Sequence, residues 1–215
     1  MKGLLTKDFR ILAGQKRYFT IIILIAAIFL CSGQPAQIIV GYCTMFGMLF
    51  TVNTISYDEF DHGYLFLFTL PVTRKDYVLE KYVFMLLCGG GFWAVSAAAG
   101  FVADYIRGDV VSLLEWLMPM FLILLEMTIF LAVMLPVSLK YGMEKSRTAT
   151  MILGFAVLGA AIAARKLLPE NFAGGLRWSA QLNPAAVTAV VFLVSLATLA
   201  VSFAGSVRIM QKKLF

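Results

Sequence analysis

The side chains able to do chemistry gather in two places. Asp58, Glu59 and Asp61 flank the only histidine, His62, and Glu126 stands alone inside a long apolar run. Carboxylates beside an imidazole are ingredients of acid–base catalysis or pH sensing, but nothing completes them here. There is no second acidic cluster, no H-E-x-x-H, no G-x-S-x-G and no G-x-x-x-x-G-K-[ST] phosphate loop. One histidine excludes intramembrane metalloprotease schemes that need two or more. Cys31, Cys43 and Cys88 lack metal-ligand spacing and read as free thiols in or at the ends of apolar runs. Catalysis by this chain is not expected, and His62 reads as a solvated loop residue.

The elements that position these groups follow from composition. Of 215 residues, 61% are apolar and only 14% charged, with a mean hydropathy of +0.88. Such a chain belongs in lipid, where unsatisfied backbone polar groups force long apolar runs into helices of about 20 residues. Six runs qualify: about 19–32, 38–56, 83–103, 113–139, 148–164 and 185–207. The predicted fold is an all-α integral membrane protein with six transmembrane helices in one membrane domain over 1–215. Residues 1–18, MKGLLTKDFRILAGQKRY, interleave leucines and Phe9 with lysines and arginines, the pattern of an amphipathic interfacial helix lying in the headgroups. Bulky Ile28, Phe29 and Leu30 before Cys31 argue against a signal peptide or a lipoprotein site. Ser112 and Glu115 have capping-box spacing at the start of the fourth span, which also contains Pro119 and Pro136, and a kink is expected near one of them. Gly89, Gly90 and Gly91 in the third span invite close helix contact, and Asn183–Pro184 announces the sixth.

Orientation is read from lysine and arginine. Five precede the first span, three lie between the second and third, three between the fourth and fifth, and three at the C-terminus, fourteen on one side against four on the other. The positive-inside rule then puts both termini in the cytoplasm, in the cytoplasmic membrane. The net charge of +6 reflects this placement, and no separate basic face points to nucleic acid.

The stretch 57–82, YDEFDHGYLFLFTLPVTRKDYVLEKY, lies between the second and third spans. Acidic residues end the second span, an apolar and aromatic run follows from Tyr64 to Leu70, and Pro71 breaks it. Thr73 and Asp76 then restart a helix in capping-box spacing. The expected structure is a short interfacial helix, a turn, and a helix continuing into the third span.

The order of MKGLLTKDFRIL, the acidic SYDEFD and LPVTRKDYVLEKY resembles the permease subunits of ABC-2 type exporters over nearly the whole chain. The resemblance implies an N-terminal connecting helix and a coupling helix that docks on a separate ATPase. It assigns docking to Asp58, Glu59, Asp61, Phe66, Leu67, Phe68, Pro71, Arg74 and Lys75. It also implies that the chain works with ABC ATPase subunits, which bind the ATP and magnesium, and with a second permease copy or paralogue. This chain would hold no cofactor itself. Buried aromatics would supply grip and rim charges orientation.

Glu126, about 13 residues into its span, is costly in lipid and marks a candidate translocation path. The segment 165–183, RKLLPENFAGGLRWSAQLN, reads as an amphipathic outer-face segment. Two other classes fit the profile: a non-transporting immunity or assembly protein using the same loop to bind a partner, and a secondary transporter using Glu126. The latter would be favoured by inverted repeats, of which the sequence shows none.

Overall fold

The computed structural model describes residues 2–59, 63–67, 69, 72–108, 112–167 and 184–213; the side chains of 2, 65, 66, 143–167 and 184 lie outside that description. The described residues are helical apart from short turns. In chain order they form α1 (Lys2–Gly14), α2 (Lys16–Cys31), α3 (Ala36–Glu59), α4 (Gly63–Leu67), α5 (Arg74–Arg107), α6 (Leu113–Leu167) and α7 (Pro184–Lys212).

Among the described residues, four helical stretches are long and apolar enough to cross a membrane: Ala36–Glu59, Arg74–Arg107, Leu113–Gly142 and Ala185–Lys212. Six were expected, and the difference has two sources. The 16 residues of α2 rise only about 24 Å, short of a bilayer core of about 30 Å, and α2 reaches spanning length only together with α1, from which it bends by 65°. Residues 148–164 are helical within α6, but their side chains lie outside the described residues. The 65° bend turns the basic α1 away from the direction of α2.

Local chemistry explains the boundaries. Thr73 caps α5, its hydroxyl accepting the Asp76 amide at 3.1 Å and donating to the Asp76 carboxylate at 2.7 Å. Gly108, at φ 80°, closes the same helix in the left-handed region that glycine adopts without penalty. Ser112 accepts the Glu115 amide at 3.3 Å at the start of α6.

The core is a packed set of α3, α5, α6 and α7, with Met48, Tyr77, Met85, Leu131, Leu135 and Met210 in one cluster. Of the three consecutive glycines only Gly89 meets a neighbour: a Cβ there would lie 2.3 Å from the Met48 methyl. Gly90 and Gly91 face open space, so close approach of α3 and α5 depends on Gly89, and on Gly47 against Phe92. Cys43 and Cys88 are buried free thiols, whereas Cys31 is exposed.

The break in α6 does not fall at a proline. Backbone angles stay helical through Pro119 and Pro136 and leave the helix at Gly142, with φ 73° and ψ −178°. Proline at 136 removes the amide that the Ala132 carbonyl would accept. The Ser202 hydroxyl of α7 donates to that carbonyl instead. A neighbouring helix thus replaces the lost bond, as an apolar interior requires. Tyr82 of α5 closes the chain, 2.6 Å from Ser202 and 2.9 Å from Ser206.

Candidate functional site

Five ionisable side chains from three helices meet where α1, the end of α3 and the start of α5 come together. On α1, Leu4 and Asp8 are one turn apart and both face inward, so the apolar stripe of an amphipathic helix carries a carboxylate. On α5, Tyr77, Lys81 and Met85 share the buried face at fourfold spacing, which places an ammonium opposite that carboxylate.

Lys81 is fully buried and is the hub. It forms an ion pair with Asp8, lies 2.9 Å from Asp58, and donates to the Thr54 hydroxyl at 3.1 Å. Lys7 pairs with Asp58 and lies 3.3 Å from Asp8. The Tyr77 hydroxyl donates to Asp58 at 3.1 Å, and Glu80, also buried, sits 3.6 Å from Lys81. Two ammonium groups therefore face three carboxylates, all of them buried except Lys7, whose side chain is 32% exposed. Removing one member of such a set leaves another charge buried and unpaired, so the cluster fixes where α1 sits on the bundle.

A second set of contacts ties in α4 and the chain end. Tyr64 of α4 meets Tyr77 edge to face with ring centres 5.9 Å apart, and Lys213 lies 5.0 Å above the Tyr64 ring. Burial pushes the Tyr64 hydroxyl pKa up. Lys213 also reaches Glu59 at 3.4 Å and the Leu139 carbonyl at 3.1 Å. Arg74 donates to the carbonyls of Met210, Gln211 and Lys213 at 2.8–2.9 Å, a cation closing the C-terminal end of α7.

The sequence-predicted residues are thus distributed unequally. Asp58 points inward to Lys7, Lys81 and Tyr77, and Leu67 is buried in the core. Glu59 turns to Lys213, and its carboxylate lies against Gly142, where a Cβ would come within 2.6 Å of it. Arg74 is occupied by α7, while Lys75 is exposed. Asp61, Phe68 and Pro71 lie outside the described residues, as does the side chain of Phe66, although its backbone is helical within α4. Glu126 is exposed on α6 and has no hydrogen-bond or ion-pair partner among the described residues.

Lys7, Asp8, Glu80 and Lys81 are members that sequence reasoning missed. Their signal was present: Asp8 is the only acid before Asp58 and falls in line with Leu4, Leu5 and Leu12, and Lys81 interrupts an apolar helical face.

The paired charges form a fastening that joins α1, α3 and α5. The family model for ABC-2 family transporter proteins matches residues 3–211. The chain belongs to that family. Neither a curated protein nor a solved structure matches it at a significant level. As an ABC-2 transporter protein it is a multi-pass membrane component of a transporter and is not itself the catalyst.

Proposed function

We propose that this chain is the membrane-spanning permease subunit of an ATP-driven ABC-2 type exporter. It forms a translocation path with a second permease copy or paralogue and is driven by separate ATPase subunits through the segment that joins α3 to α5. The observation that carries the reading is that this segment is fastened at both ends. Asp58 and Glu59 before it, and Arg74 and Lys81 after it, are bonded to α1, to α7 and to Lys213, and Tyr77 is bonded to Asp58. A force applied to residues 60–75 is therefore passed to several helices at once, the requirement for rigid-body tilting.

In this reading six spans place both termini in the cytoplasm, as the distribution of lysine and arginine supports. The docking contacts come from Lys75 and from Asp61, Phe66, Phe68 and Pro71, while Asp58, Leu67 and Arg74 hold the segment in place. ATP and magnesium belong to the ATPase. Glu126 faces the path or the second permease.

Co-purification from the native membrane in mild detergent tests the assignment. The chain should bring down an ATPase, and Phe66→Ala with Phe68→Ala should lose it; a wild-type chain that retains no ATPase contradicts the proposal. Glu126→Gln should lower transport several-fold with insertion and ATPase association intact, and unchanged transport removes Glu126 from the path.

A further inference from the structure

A cleft of about 410 Å³ opens where α6 and α7 end together, lined by Lys140, Arg208, Ile209, Lys212 and Lys213. Four of its five lining residues are cations. Lys213 is occupied by Glu59 and the Leu139 carbonyl. Lys140, Arg208 and Lys212 are exposed and pair with no carboxylate among the described residues. Arg208 and Lys212 stand four residues apart on one helix, an arrangement disfavoured between like charges. Lys140 adds a third charge from another helix. Such a gathering favours an anion that several donors can share.

The surroundings identify the anion's class. Arg208 continues an exposed, apolar side of α7 that includes Leu193 and Val201, the latter 73% exposed. Lys140 continues an exposed line on α6 through Val133. Both helices are spans, so the cations sit at the end of a surface suited to acyl chains. A ligand with a phosphate at one end and hydrocarbon along the other matches this layout.

We infer that the cleft between the ends of α6 and α7 is a binding site for the headgroup phosphate of an anionic phospholipid. Lys140, Arg208 and Lys212 hold the phosphate, and the exposed side of α7 carries a chain. Arginine supplies forked donors and the lysines supply charge. The site is separate from the cluster around Lys81 and does not depend on which ATPase or substrate the transporter serves.

Native mass spectrometry of the whole chain, exchanged into mixed phosphatidylglycerol and phosphatidylcholine, reads the site directly. The wild type should retain phosphatidylglycerol preferentially, and Lys140→Gln, Arg208→Gln and Lys212→Gln should each reduce that preference by roughly fivefold. Arg208→Lys keeps the charge and should keep most of it. Lys16→Gln with Arg17→Gln, at another exposed basic cleft, should leave it intact. No wild-type preference, or a preference lost only in the Lys16 and Arg17 variant, overturns the inference. So does loss of a co-purifying ATPase from the α6–α7 variants with lipid preference unchanged, which would give the cleft to a protein partner.

Discussion

Lys81 and Tyr82 are neighbours on α5, yet they anchor two different polar systems. Lys81 gathers charges, Asp8 from α1 and Asp58 from α3, at the end of the bundle. Tyr82 gathers hydroxyls, Ser202 and Ser206 from α7, and through Ser202 the Ala132 carbonyl of α6. Charge suits a junction that must take one geometry, because every misplacement leaves an unpaired ion. Hydroxyls suit the interior between spans, where they mend a backbone gap at the lower cost of desolvating a neutral group.

The largest effect is expected from the charged system. Lys81→Met should cost about 3–5 kcal/mol, since Asp8 and Asp58 lose their shared partner. Unfolding by denaturing-detergent titration measures this, and adding Asp8→Asn should recover part of the loss. A cost under about 1 kcal/mol would mean that the cluster is solvated and does not fasten α1.

The neutral system predicts a smaller and conditional effect. Ser202→Ala should cost about 1–3 kcal/mol by leaving the Ala132 carbonyl without its donor. In a Pro136→Ala background the backbone amide returns, and the same change should cost markedly less. A double-mutant cycle with no coupling would separate Ser202 from the proline.

The smallest effect on stability is expected at Lys75. It is exposed, so Lys75→Ala should change stability by less than about 0.5 kcal/mol. It should still weaken ATPase co-purification, because Lys75 is a proposed docking contact.

Much of this was legible in the sequence, and the failures have physical causes. Hydropathy marks the helices because lipid leaves the backbone little choice, and Thr73 and Ser112 mark helix starts through local bonds. The roles of Asp58 and Arg74 were not legible as such. A charge near a span end reads as a solvated rim, and only the partners, at Lys7 and Lys81 for one and at Met210 to Lys213 for the other, reveal it as internal. The continuous path of α6 through Pro136 likewise depends on Ser202, which is 66 residues away in sequence.

In the proposed coupling, ATPase motion enters through the segment between α3 and α5 and leaves through the charge cluster. ATP hydrolysis by the purified complex in lipid tests it most directly, comparing the wild type with Asp8→Asn. Asp8→Asn should keep the ATPase bound but lower the stimulation of hydrolysis by the permease several-fold. Full stimulation in a stably assembled Asp8→Asn complex would contradict it.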